Sequence, residues 1–524
     1  MKRCFIVVIS NLLFSFMSFA QNEDISGGNL FEGEPYLALD PANPQHMVVA
    51  WMGYVPIQPL HIKTKVTFDG GQNWSNAVAI PHVSSTYKSA DPSLAFDHNG
   101  NVFLSYVDYR QAPDSGAVYV VKSTDGGLSW SSPNMVLDGF ADGSKEPIDR
   151  PWLVIGKAPA SSVDTMYITT KPAPWILPPN RPYFMKSYDD GQTWSPWKYI
   201  DSTGWQVGNL IQAPMAAPVV DANGRFHCVY PAYYAPENLH VREIMASLIP
   251  GTNSFSYSNT YIFTAATAVN DTLSKGGPHL IADPTNPDHM AFFWVFNYNN
   301  DMDVFCVEST DNGNSLGALQ RVNDDPVNNG RMQDLVWASF DEHGDIVAAW
   351  RDRRNAPDTG YAQPSEIWGA VKWKDSANFS ANFRISDTIV DYDSTYLAGK
   401  GNDFMNVVMA QDTVSAVWGD VRTGVLNIWF NRMAVNGPST GIKKLVNEKA
   451  PGVDIYPNPS GNAITIKGED MLTVTVYDVT GKLLLQQKAV KDKAVINIAH
   501  FKAGEYFAVI STKRGMVTER FERR

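Results

Sequence analysis

Three short stretches place an aspartate two residues before an arginine: VDYR (107–110), WRDRR (350–354) and WGDVR (418–422). The spacing sets Asp108 beside Arg110, Asp352 beside Arg354 and Asp420 beside Arg422. Guanidinium forks bind a carboxylate or sulfate in bidentate fashion, and paired carboxylates can supply the acid and base of glycoside cleavage. Repetition equally suits ion pairs that tie neighbouring elements together. More polar residues stand just before short apolar runs: Glu34, Asp91, Asp149 with Arg150, Arg331 with Asp334, and Asn402 with Asp403. Asp149 and Arg150 have no matching pair in the neighbouring runs.

The elements that must position these residues come from an internal repeat. The pattern S/T-x-D-x-G-x-S/T-W occurs as TFDGGQNW (67–74), STDGGLSW (123–130), SYDDGQTW (187–194) and, in a weaker form, STDNGNSL (309–316). Its aspartates, Asp69, Asp125, Asp189 and Asp311, recur at roughly 60-residue steps with one double step, a period that belongs to blades or solenoid units. The skipped copy falls on SLIPGTNSFS (247–256), a turn without aspartate.

Pairs of strand-like apolar runs precede each turn, and units begin near Tyr36, Ser93, Trp152, Pro218, His279, Leu335 and Met405. Within a unit the two runs meet at a tight turn such as DHNG (97–100), DANG (221–224) or DEHG (341–344). A third strand leads into the aspartate turn and a fourth leaves it. Four antiparallel strands per unit at this period predict an all-β propeller, with seven blades favoured over six. The seventh unit lacks a clear fourth strand, which residues 24–33 are expected to supply.

Strand alternation puts the start of the first strand and the end of the second on one face, the funnel, and the aspartate turns on the other. The turn aspartates and Trp74, Trp130 and Trp194 are therefore expected to be structural: aspartate accepts backbone N–H bonds, glycine supplies a positive φ and tryptophan fills space between blades. His46 (NPQHM) and His289 (NPDHM) open second strands and read as scaffold. His279, in GGPHLIAD, opens a first strand near the axis and is a candidate base or substrate contact. Tyr230, Tyr233 and Tyr234 in VYPAYY, with Trp175 in KPAPWILPP, are candidates for a sugar-stacking wall, or for packing.

The 524 residues carry a formal charge of −12, which argues against nucleic acid as a partner. Residues 1–20 read as a secretory signal, with Lys2 and Arg3, an apolar run and Ser18-Phe19-Ala20 before Gln21. No later apolar run is long enough for a membrane span. Cys228 and Cys306 sit in apolar runs and are expected as buried free thiols. No cofactor is expected: the chain has no zinc-ligand spacing, no phosphate-binding glycine loop and no nucleophile elbow, and its DHNG-type turns lack the terminal glutamate of a calcium loop. The pattern breaks near Asn436. The expected organisation is a propeller over 21–435, a linker over 436–451 and a small all-β domain, a β-sandwich, over 452–524.

The aspartate turns resemble the Asp-box, or BNR, repeats of the sialidase superfamily over roughly residues 30–435. That resemblance implies a propeller that binds or cleaves carbohydrate. An Arg-Ile-Pro motif opens the first blade in that family, and the corresponding place here reads EGEPYLALD (32–40), so neither its arginine triad nor its tyrosine carries over. The last stretch is similar to the type A sorting domain of the type IX secretion system, through YPNPSGN (456–462), VYDVTGKLL (476–484) and AGEYFAVI (503–510). It implies export to the surface or surroundings of a Bacteroidetes-type bacterium, with the secretion machinery as a partner. The leading expectation is an anionic glycan held in the Asp/Arg-rich funnel; a uronate-directed lyase and a non-catalytic glycan- or protein-binding propeller stand beside it.

Overall fold

The computed structural model describes residues 22–55, 58–111, 114–143, 145–156, 163–177, 181–201, 216–233, 241–262, 279–297, 301–392, 395, 402–435, 453–468, 471–478, 482–490, 492–512 and 515–524. The expected signal segment, the linker, Tyr234 and the side chain of Tyr233 lie outside them. The chain divides into two compact units, Met1–Pro438 and Ser439–Arg524.

In the first unit the described residues form seven four-stranded antiparallel sheets, six of them in simple chain order. Their innermost strands are Glu32–Leu39, Lys88–Phe96, Asp149–Gly156, Ala217–Val220, His279–Ala282, Gln333–Phe340 and Met405–Ala410. Each packs on the next and the last packs on the first, so the sheets are the blades of a β-propeller. The ring is closed by the chain's beginning. Glu23–Asp24 pairs with Asn427–Ala434 as the outermost strand of the seventh blade, with Glu23 opposite Phe430 and Asp24 opposite Trp429. This closing strand starts before the expected residues 24–33; of the rest, Phe31 makes one bridge, to Leu426.

Blades are apolar on both faces because each is sandwiched between two others. The second strand Met47–Tyr54 is buried along its length except at Tyr54, and Trp51, Trp350 and Trp418 are fully buried at matching places. A fully buried side chain of this kind contributes about 1.5–3 kcal/mol. Cys228 and Cys306 are buried free thiols in this core.

The innermost strands share an irregularity that matters for the site. Register slips by one residue between Gly33 and Tyr36, Ala90 and Ser93, Asp149 and Trp152, and Asp334 and Trp337. Inside these bulges Glu34, Asp91, Arg150 and Leu335 take φ of 55°, 57°, 50° and 55°. Proline follows the first three. Lacking an N–H, it cannot continue the ladder, so the chain kicks inward there.

The C-terminal unit is a β-sandwich. One sheet holds Asp454–Tyr456, Ala463–Lys467 and Lys493–Asn497; the other runs in the order Leu483–Lys488, Met471–Asp478, Gly504–Thr512, Gly515–Arg523. Ile464, Ile466, Val474, Val476, Ile496, Ile510 and Phe521 fill its core.

Candidate active site

The bulges aim Glu34, Asp91 and Arg150 from three successive blades toward the axis. Glu34 and Asp91 hydrogen-bond to each other through their carboxyl groups. Asp91 Oδ2 also accepts from the Arg150 backbone N–H at 3.0 Å, which ties one strained bulge to the next. The Arg150 side chain reaches to the seventh blade, where Nη2 lies 3.2 Å from Asp403 Oδ2 and the guanidinium stands 5.3 Å over the Phe404 ring. Asp149 turns the other way: Lys171, at the end of the second strand Thr165–Lys171, approaches its Oδ2 at 2.8 Å, while Arg150 Nε is 3.9 Å from its Oδ1. The sequence pair Asp149-Arg150 is thus divided between two networks.

These residues border a cleft of about 450 Å³. Its remaining wall includes Phe31, Tyr54, Leu60, Lys88, Tyr109 and Trp175. Trp175 stacks on Tyr109 with centroids 5.7 Å apart and donates Nε1–H to Glu146 at 2.9 Å. One layer below, Tyr36, Trp152, Trp337, Phe404 and His279 pack ring against ring around a void of about 50 Å³ and stopper the axis. Tyr36, Trp152 and Trp337 each follow a bulge residue by two positions, so strand alternation sets a charged layer above an aromatic floor.

The electrostatics divide the carboxyl groups. Burial, then the charges of Asp91 and Asp403, raise Glu34 well above the usual carboxylate range. Burial, with Asp149 adding to it, pushes Asp91 up to about 6. Two adjacent carboxyls that cannot both ionise share one proton, and Glu34 keeps it. Among the described residues Glu34 Oε2 is buried without a hydrogen-bond partner. Burial lowers Lys171, with Asp149 opposing the shift. Arg150 is half-buried, and Asp403 and Asp149 hold it firmly charged against the cost of desolvation.

The Asp-x-Arg pairs lie elsewhere on the funnel face. Asp352 accepts from Trp350 Nε1 at 2.7 Å and pairs with Arg354 at 2.9 Å; Arg354 lies over Trp368 and reaches Asp324 at 2.7 Å. Asp420 repeats this with Trp418 at 3.1 Å and Arg422 at 2.7 Å; Arg422 lies over Trp429 and reaches Asp387 at 2.5 Å. Asp324 and Asp387 sit on the connections that arrive from the preceding blade. Asp108 departs from the pattern. It is fully buried and binds His82 Nδ1 at 2.7 Å, the Val83 N–H at 2.8 Å and Ser89 Oγ at 3.0 Å, with no ion pair to Arg110 among the described residues. In the first blade Gly53 occupies the aspartate's place. A Cβ there would fall 1.8 Å from Glu32 Oε2, the atom that accepts Trp51 Nε1 at 2.5 Å. These groups bind blade to blade and do not converge on the cleft.

Arg331 donates to the carbonyls of Ala356, at 2.7 Å, and Asp358. Asp334 is buried between Arg351 and Arg353, which hold it well below the usual range despite burial, and accepts Tyr361 Oη at 2.7 Å. His279 stacks on Trp337 at 4.4 Å and donates Nε2–H to the Ala338 carbonyl at 2.8 Å; burial lowers it to about 4, so it is neutral. Tyr230 is in the core, its hydroxyl 3.2 Å from Asp201, so it forms no sugar-facing wall. Trp175 does line the cleft. Lys88 and Lys171, absent from the sequence reading as site residues, line it too. TTKP and YKSAD carry no spacing that marks them; only the strand register brings Lys171 opposite Asp149 and Lys88 opposite Tyr109.

On the opposite face each aspartate closes its own turn. Asp69, Asp125, Asp189 and Asp311 accept the backbone N–H four residues on at 2.8–2.9 Å, and Thr67, Ser123, Ser187 and Ser309 donate to them. Hydrogen bonds from Asn73 hold Asp69 down to about 2. Trp74 meets Phe430 of the seventh blade, Trp130 Nε1 donates to Thr64 of the first at 3.0 Å, and Trp194 donates to Gly191 in its own turn. His46 bridges Asp40 and the Gly126 carbonyl, and His289 bridges Asp283 and Glu308. Among the described residues no three His, Cys, Asp or Glu are grouped to hold a metal, and no helix is long and apolar enough to cross a membrane.

No curated protein matches this chain. Solved structures with a similar outline include a protein of unknown function from Dyadobacter fermentans (12% identity, TM-score 0.42, covering 79% of this chain and 99% of that one). An α-L-arabinanase from Penicillium chrysogenum is 11% identical with a TM-score of 0.40, covering 80% and 98%. A sialidase from Streptococcus pneumoniae is 9% identical with a TM-score of 0.39, covering 79% and 70%. Residues 454–521 match the secretion system C-terminal sorting domain. The chain therefore carries a type IX sorting domain, which directs it to the exterior or outer surface of a Bacteroidetes-type cell.

Proposed function

We propose that the propeller binds and cleaves an anionic glycan in the funnel cleft, with Glu34 as proton donor and Asp91 as the carboxylate that returns the proton. The observation that carries this reading is the Glu34–Asp91 pair: two adjacent carboxyls, Glu34 buried and kept protonated and Asp91 half-buried and titrating at about 6. Paired acids whose environments drive their proton affinities apart are what proton transfer to a glycosidic oxygen requires near neutral pH. The protonated Glu34 carboxyl on the cleft wall donates to that oxygen as the C–O bond breaks, and water adds to the sugar carbon while giving its proton to the Asp91 carboxylate, which passes it back to Glu34. Tyr109 and Trp175 offer aromatic faces for a sugar ring, and Arg150 and Lys171 steady the surrounding carboxylates.

A uronate lyase would need a ready base beside the sugar. His279 is packed within the aromatic floor with its Nε2–H given to a backbone carbonyl, and burial raises the Tyr109 hydroxyl above its ordinary value, which makes both poor in that role. A panel of neutral, carboxylated and sulfated oligosaccharides separates the readings, scored for new reducing ends, released sialic acid and ultraviolet absorbance of unsaturated uronate. Reducing ends or sialic acid that vanish in Glu34→Gln support hydrolysis, and unsaturated product points to the lyase. Binding without product leaves a glycan-recognition propeller.

A further inference from the structure

We propose that Lys88 is the residue that reads the ligand's anionic group, its ammonium held over the Tyr109 ring. The inference rests on the glycan reading above and assigns its charge selectivity to one side chain. Three cations line the cleft: Lys88, Arg150 and Lys171. Arg150 is engaged by Asp403 and Asp149, and Lys171 by Asp149. These two hold the acid cluster together, and a ligand anion would have to displace a protein carboxylate to reach either. Lys88 forms no ion pair among the described residues, and its ammonium lies 4.9 Å from the Tyr109 ring centroid.

Lys88 stands opposite Tyr109 in the strand ladder, on the cleft side of the second blade and two residues before the wall residue Ala90. Of the rim arginines, Arg354 and Arg422 cannot take this role, since each lies on a tryptophan between two aspartates, and Arg110 is not among the residues that line the cleft. An ammonium donates to an anionic oxygen from several directions, unlike a planar fork, so a sugar carboxylate or sulfate ester would both fit. With Trp175 stacked on Tyr109 and the Lys88 ammonium over the same ring, an anionic substituent of a sugar in the cleft would meet the ammonium beside that ring.

The test is calorimetric titration of the full chain and its Lys88→Ala and Lys88→Glu variants with three probes: an oligogalacturonate, its neutral methyl ester and a sulfated galactan oligosaccharide. The wild type is expected to bind the charged probes about tenfold more tightly than the ester, as a charge-assisted hydrogen bond supplies. Lys88→Ala should bring that ratio to about one with the unfolding midpoint unchanged, and Lys88→Glu should invert it. Preference for carboxylate or for sulfate names the anion. A ratio that persists in Lys88→Ala, or a wild type that binds all probes equally, overturns the Lys88 assignment and leaves the glycan reading intact. A wild type that binds none of the probes overturns both.

Discussion

Glu34, Asp91 and Arg150 combine strained backbone with charge that is buried at Glu34 and half-buried at the other two, an arrangement that persists only where the surroundings over-determine it. Proton linkage makes this testable without a substrate. Asp91 has its folded value raised from 3.8 to about 6, so between those pH values the folded chain binds a proton that the unfolded chain does not. Stability must then fall as pH rises through that window, by on the order of 3 kcal/mol when complete. Asp91→Asn keeps the acceptor for the Arg150 N–H and removes the charge. It should raise the unfolding midpoint at pH 8 and leave it nearly unchanged at pH 4; equal shifts at both would contradict the assignment. Glu34, Asp91, Arg150 and Asp403 are legible in the sequence because each directly precedes an apolar run. Their division is not. That Arg150 leaves Asp149 for the axis depends on a left-handed residue before proline, which no composition or periodicity reveals.

At the scale of elements, the recurring Trp-x-Asp-x-Arg stretch is a tie between blades. The aspartate fixes the tryptophan indole of its own strand, and the arginine leans on a neighbouring tryptophan to reach the incoming connection. Asp334 serves a related end with Arg351 and Arg353. Asp334→Ala leaves two buried guanidiniums uncompensated and should cost about 3–5 kcal/mol in urea unfolding, with cleft affinity little changed in the protein that remains folded. The aspartate turns call for a different result. Asp125→Ala removes the acceptor of Ser129 N–H and should lower the melting temperature by a few degrees without altering glycan affinity, since its turn faces away from the cleft. The repeat period makes the strands and turns readable from sequence, and the Asp-x-Arg spacing makes two of three ties readable. At Asp108 the expected partner Arg110 gives way to His82, which lies on a connection with no repeating pattern, and Glu32 is missed because it stands in for an aspartate from another strand.

For the whole molecule, ring closure rests on very little chain. Glu23–Asp24 completes the seventh blade, Ile25 donates to the Ile428 carbonyl, and Asn22 contacts Ile385 and Asp387. A chain without residues 22–28 should lose cooperative unfolding altogether, as judged by calorimetry, since the edge left open exposes a strand in a blade that the ring needs. A chain ending at Pro438 should keep glycan affinity and lose export, because the sorting unit has its own core. The central claim, that the Glu34–Asp91 pair transfers protons to a glycan, is tested most directly by the pH dependence of kcat/KM on an anionic oligosaccharide. The wild type should show a rising limb near pH 6 as Asp91 ionises, and Asp91→Asn should lose that limb along with roughly 100-fold or more of the rate. A variant that cleaves at the wild-type rate with the same limb would contradict the account.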